Sequence, residues 1–212
     1  MTRTSRRRGL LVAVEGIDGT GKSTLVRALA ATLRREGRSV AVRKEPFDRR
    51  LGRLAQEASV HDPWTGAVYF TVDRHLAQRG LRRDLARRQV VISDRSYFST
   101  LAYQGSALPP TDRARLERLQ QGATVAPDRV LFLDLDPSEA WRRIAGRSAH
   151  RAPLERRRTL ERVARSYRLL ARRPGWTRLD ARLATPALVA EAVRALGLRP
   201  ARRAVRAEAR RR

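Results

Sequence analysis

Leu10-Leu11-Val12-Ala13-Val14-Glu15-Gly16-Ile17-Asp18-Gly19-Thr20-Gly21-Lys22-Ser23-Thr24 joins an apolar run to a glycine-rich turn, and a helical pattern follows at once. Residues 16–24 fit G-x-x-x-x-G-K-[ST] between a strand and a helix, the setting that gives this motif its meaning. Gly16, Gly19 and Gly21 let the backbone N–H groups around Thr20 converge on phosphate oxygens, and the helix N-terminus adds positive dipole. Lys22 is placed to reach the outer phosphates, Ser23 to offer Mg²⁺ a hydroxyl, and Thr24 ends the motif. The stretch predicts a phosphate loop for ATP and Mg²⁺. It does not name the acceptor, because this fold carries kinases, GTPases and motors alike. A guanine-reading Asn-Lys-x-Asp is absent, since the chain's two lysines are Lys22 and Lys44 and neither has that context.

Four more short runs rich in Val, Leu and Ile follow, at 40–44, 90–93, 130–134 and 177–180. They lack the alternation of a half-exposed strand, as expected for strands covered on both faces. Between them the pattern turns helical. Residues 23–35 place Leu25, Ala28, Leu29 and Leu33 on one side, with Gly37 as the stop, and Leu160, Val163, Ala164, Tyr167 and Leu170 repeat the spacing later. Strands alternating with helices predict an α/β fold with a five-stranded, mainly parallel, doubly wound sheet.

The 212 residues and the absence of cysteine fit one domain without a disulfide framework or thiolate chemistry. No apolar window reaches membrane-span length, and 10–14 is too short for a signal peptide, so a cytoplasmic protein is expected. The net charge is +26. Residues 3–8 carry four Arg, and residues 199–212 carry seven Arg against one Glu. These segments read as disordered tails, 1–8 and 199–212, around a domain over 9–198. Elsewhere the charge is spread as pairs such as Arg34-Arg35 and Arg82-Arg83, with no interleaved aromatics to stack bases. That pattern predicts a solvated surface, with no specific nucleic-acid site and no membrane partner. In a chain so depleted of lysine, a lysine that remains invites attention.

The third run ends Ser93-Asp94-Arg95 and continues Ser96-Tyr97-Phe98-Ser99-Thr100-Leu101-Ala102-Tyr103-Gln104. A buried strand delivers Asp94 and Arg95 to the carboxyl edge of the sheet, where such folds bind ligands. Asp94 suits a Mg²⁺ site, and Arg95 suits bidentate capture of an acceptor phosphate.

This segment, the form of the phosphate loop, Glu45-Pro46, Phe70-Thr71-Val72-Asp73-Arg74, and Leu160-Glu161-Arg162-Val163 with Tyr167 together resemble the thymidylate kinases over residues 10–196. The resemblance implies a P-loop fold with a mobile Arg-rich lid at about 142–156, and transfer of the γ-phosphoryl group of MgATP to dTMP. It also implies roles. Phe70 stacks on thymine, Arg74 donates to its O4, Thr100 and Gln104 complete the polar edge, and Ser99 joins the substrate-binding residues. Asp18 meets the 3′-hydroxyl, Tyr103 crowds a ribose 2′-hydroxyl, and Glu45 joins the acceptor site. A lid arginine, Arg147 or Arg151 with Arg143 next, supplies transition-state charge. A homodimer through the helices near 64–88 and 96–105 is implied as well. The chain departs from the family pattern at Ser96, at Lys44 in place of Arg, and at Phe47-Asp48-Arg49. Three alternatives stand beside this reading. One is a kinase for dUMP, dCMP or a modified pyrimidine monophosphate. Another is a deoxynucleoside kinase with Glu45 as general base, and the third is a basic protein that keeps the fold without the reaction.

Overall fold

The computed structural model describes residues 9–145 and 157–198. Within them, β1 (Leu10–Glu15), β2 (Val40–Lys44), β3 (Val90–Asp94), β4 (Arg129–Asp134) and β5 (Trp176–Asp180) form one sheet in the order β2-β3-β1-β4-β5. Every neighbouring pair is parallel, and each expected run becomes a strand to within a residue at its ends. The three inner strands are buried almost throughout, as their unbroken apolar runs require. The edge strands, VAVRK and WTRLD, are less buried, with Val42, Lys44 and Arg178 exposed.

Helices α1 (Lys22–Arg35), α2 (Arg49–His61), α3 (Pro63–Arg87), α4 (Tyr97–Tyr103), α5 (Pro110–Ala123), α6 (Pro137–Ala145), α7 (Arg157–Leu170) and α8 (Thr185–Leu196) cover the sheet. The start of α1 follows directly from the glycine-rich turn, and Gly37 ends it at φ 83° with N–H bonds back to the last turn. Asp48 and Asp62 cap α2 and α3 by accepting from two backbone N–H groups each. On α7 the five residues expected to face the core are the buried ones. On α1 Leu25, Leu29 and Leu33 are buried as expected while Ala28 is only partly so, and Val26 and Ala30 join the buried face, because α8 packs beside it as the sheet packs below.

Both tails lie outside the described residues, as do 146–156 of the expected lid with Arg147, His150 and Arg151. His61 and His75 are exposed. No described helix is long and apolar enough to cross a membrane.

Candidate active site

The site is assembled at the carboxyl ends of β1, β2 and β3. At Gly16 the chain leaves β1 with φ 146°, and a Cβ there would sit 2.6 Å from the Leu133 carbonyl oxygen. Only glycine fits so close to the neighbouring strand with that backbone. The Thr20 hydroxyl braces the loop by donating to the Ile17 carbonyl at 2.9 Å, so this side chain serves the loop and leaves phosphate contact to the backbone. Lys22 is buried, donates to the same carbonyl at 2.7 Å and lies 3.6 Å from Asp18. Burial, reinforced by repulsion from Arg95, draws its ammonium down to about 8. Ser23 donates to Asp94 at 2.5 Å, bringing together two oxygens from residues far apart in sequence. An oxygen pair of this kind suits Mg²⁺, which takes one or two protein oxygens and fills its octahedron with phosphate and water.

Beside the loop lies a crevice of about 250 Å³. Each residue expected to meet the acceptor lines it: Asp18, Glu45, Phe70, Arg74, Arg95, Ser99, Thr100, Tyr103 and Gln104. Three further residues join them, Lys44, Pro46 and Gln56. Both lysines of the chain therefore stand at the site, one in the phosphate loop and one at the crevice wall.

Arg95 anchors the crevice. Its guanidinium forms a tight ion pair with Asp18, takes the Ser99 hydroxyl as acceptor at 3.1 Å, and lies 5.3 Å from the centre of the Tyr103 ring. Among the described residues it is the non-glycine residue with positive φ, 78°. Such a conformation is costly and tends to persist where the surroundings dictate it. Tyr103 in turn donates to Asp18 at 2.9 Å. Burial pushes the Asp18 carboxyl up, but Arg95 and Lys22 outweigh it and hold the group below its ordinary range.

Glu15 supports this arrangement from beneath. It is fully buried and accepts from Ser96 and Ser99 at 2.7 Å each and from Tyr167 at 2.8 Å. One carboxylate thereby ties the end of β1 to α4 and α7. Burial raises its pKa in spite of those donors. Ser96, a departure from the family pattern, caps α4 through the Phe98 N–H and so has a structural task of its own.

At the other end Arg74 is almost fully buried. Its Nε donates to Glu45 at 2.9 Å, its Nη2 lies 2.8 Å from the same Glu45 oxygen and donates to Thr100 at 3.1 Å, and its Nη1 donates to Gln120 at 2.7 Å. Asp73, next to it in sequence, accepts the Phe47 and Asp48 N–H groups at 2.8 and 2.6 Å, fixing the loop that carries Glu45 and Pro46. Gln104 donates to Ser59 of α2 at 3.1 Å. Arg143 bonds Glu139 at 2.6 Å and the Ala181 carbonyl at 3.2 Å, so it is held against the end of β5.

Sequence reasoning assigned no role to Glu15, Asp73, Gln56 or Gln120. For Gln120 a signal existed: it falls four residues after Leu116 on the buried side of α5, a polar residue at an apolar position.

The family model described as thymidylate kinase matches residues 14–192. A thymidylate kinase of Synechococcus sp. (strain WH7803) is 36% identical over 202 residues, covering 88% of this chain and 94% of its own. One from Bifidobacterium longum (strain NCC 2705) is 38% identical over 151 residues, 64% of this chain and 71% of its own. A probable thymidylate kinase of Sulfurisphaera tokodaii (strain DSM 16993 / JCM 10545 / NBRC 100140 / 7) is 32% identical over 170 residues, 80% and 86% of the two chains.

Proposed function

The chain belongs to the thymidylate kinase family, and we infer from this membership and from its acceptor crevice that it transfers the γ-phosphoryl group of MgATP to dTMP, giving ADP and dTDP on the way to dTTP. The carrying observation is the crevice itself. It brings an aromatic ring, Phe70, a buried guanidinium, Arg74, and a second guanidinium, Arg95, into one crevice next to the phosphate loop.

In this reading Lys22 steadies the outer phosphates of ATP and the charge that develops on them. Arg95 releases part of its hold on Asp18 to take the acceptor phosphate, and Asp18 is then free to accept the 3′-hydroxyl. Ser23 and Asp94 would hold Mg²⁺, whose chemistry is to neutralise phosphate charge. Tyr103, stiffened by Asp18, narrows the space a ribose 2′-hydroxyl needs. Arg147 or Arg151, outside the described residues, supplies transition-state charge. The deoxynucleoside kinase reading is weakened because Glu45, its general base, is engaged by two nitrogens of Arg74. The direct test is product analysis: protein, MgATP and dTMP should yield dTDP in step with ADP. ADP formed with inorganic phosphate and no dTDP would overturn the assignment.

The state of Lys22 gives the reaction a pH signature. Its folded pKa of about 8 lies below the ordinary value of 10.5, so the free protein loses this charge as pH rises through about 8. Bound triphosphate favours the charged form and moves that loss upward. Since kcat/KM reports the free protein and kcat the complex, kcat/KM for ATP should fall above about pH 8 while kcat holds to a higher pH. A kcat/KM flat to about pH 9.5 would contradict this.

A homodimer and a cytoplasmic setting complete the proposal. On α3, Val68, Val72 and Leu76 form an exposed apolar stripe at 39%, 44% and 61% accessibility, spaced one helical turn apart. Such a stripe suits a helix-to-helix contact with a second copy. The apolar residues of α4 are buried in its own fold, so α3 supplies the contact surface. Val72→Glu with Leu76→Glu should convert the protein to a 24.0 kDa monomer in sedimentation. An unchanged oligomer would exclude this face.

A further inference from the structure

We propose that Gln120 of α5 is a positioning residue for base selection, and that it acts only through Arg74. The inference rests on the dTMP reading above. Gln120 is fully inaccessible, and its carbonyl oxygen accepts from Arg74 Nη1 at 2.7 Å. Its amide nitrogen donates to Thr71 Oγ1 at 2.6 Å, and the Thr71 hydroxyl donates onward to the Ala67 carbonyl at 2.7 Å. This chain fixes the direction of every bond. The Thr71 hydroxyl has spent its proton on Ala67, so the group facing Thr71 must be the amide N–H. The oxygen of Gln120 must then face Arg74.

What this does to Arg74 follows from a count of hydrogens. A guanidinium carries five N–H donors. The Nε hydrogen goes to Glu45, whose same oxygen lies 2.8 Å from Nη2, one Nη2 hydrogen goes to Thr100, and one Nη1 hydrogen goes to Gln120. One Nη1 hydrogen has no acceptor among the described residues, on a side chain that lines the crevice. Nη1, the nitrogen that Gln120 holds, thus keeps a donor for a base. A carbonyl on the base satisfies it. An amino group at the same place meets a donor with a donor, and the buried guanidinium cannot turn away while Gln120 and Glu45 hold it. Glu45 and Thr100 fix one side of the guanidinium, whereas Gln120 fixes the nitrogen that reads.

The outcome to measure is the ratio of kcat/KM for dTMP to that for dCMP, in the intact protein with saturating MgATP. Gln120→Met keeps the side-chain length but removes the acceptor. It should lower the ratio by about tenfold or more, chiefly through a higher KM for dTMP, with KM for ATP unchanged within about threefold. Gln120→Glu keeps an acceptor toward Nη1, with the Thr71 hydroxyl turned from Ala67 to donate to the second carboxylate oxygen, and should keep the ratio within about threefold of the parent. Gln120→Asn withdraws the carbonyl by one methylene, leaves a polar group in place should the Met variant fail to fold, and should fall between them. A role limited to packing would change melting temperature and leave the ratio alone. A parent that discriminates, with Met and Asn variants that discriminate equally well, overturns the role of Gln120 and leaves the dTMP assignment standing. A parent that does not use dTMP, or does not prefer it to dCMP, overturns both.

Discussion

Replacing Lys22 by Met should lower kcat by about a hundred- to a thousandfold while leaving the fold intact, on the proposal that Lys22 is the cation aimed at the transferring group. The scale is that of removing one preorganised charge from a water-excluded transition state, about 3–4 kcal/mol. Stability should move little, or upward. The Lys22 pKa is lowered mainly by burial, so holding the ammonium charged at neutral pH costs the folded state free energy. The unfolded chain binds the extra proton between about pH 8 and 10.5, and folding stability contributed by Lys22 rises with pH through that window. Methionine removes the penalty, and Asp18 keeps Arg95 as its partner. A thermal melt beside a rate measurement checks both parts. A small kinetic effect would remove Lys22 from the chemistry, and a large loss of melting temperature would make it a structural residue.

Arg95→Met is expected to act on the acceptor alone. KM for dTMP should rise about a hundredfold or more, the scale of two charge-assisted hydrogen bonds at about 1.5–3 kcal/mol each, less what desolvation returns. KM for ATP should stay within about threefold, because Asp18 keeps Tyr103 and Lys22 to hold its place in the phosphate loop. Stability should fall by a kcal/mol or so, of the order expected when Asp18 and Ser99 lose a charged partner. The discriminating readout is binding of thymidine, which lacks the phosphate. Its affinity should be nearly the same in parent and variant. Equal losses for dTMP and thymidine would mean that Arg95 shapes the whole crevice and does not clamp a phosphate.

Much of this was legible in the chain because it is written locally. The strands announce themselves as short apolar runs, and the phosphate loop couples glycine spacing to a strand before it and a helix after it. Asp94 and Arg95 stand at a strand end, which fixes their place once the sheet is known to be parallel. The survival of Lys22 and Lys44 among 47 cations proved informative, since both came to the site. What sequence did not reveal are the residues that work by closing long loops of chain. Glu15 meets Tyr167 across 152 positions and Arg74 meets Gln120 across 46. Asp73 was visible in its motif, but its task of holding Phe47 and Asp48 appears only when α3 passes under the end of β2. Such contacts have no period and no spacing rule. Their trace in sequence is a polar residue where the helical pattern expects an apolar one, as at Asp73 and Gln120. Ser96 shows the converse, a departure from the family pattern that becomes intelligible as a cap and a donor to Glu15.

ADP release by the intact protein with MgATP, offered dTMP, dUMP, dCMP, dGMP and thymidine in turn, decides the acceptor. dTMP should be used far better than the rest, with dUMP next because it keeps the O4 carbonyl, and with dCMP and thymidine poor. Turnover of thymidine in preference to dTMP would contradict it, since Arg95 would then have no phosphate to hold and Glu45 would have to leave Arg74 to act as a base.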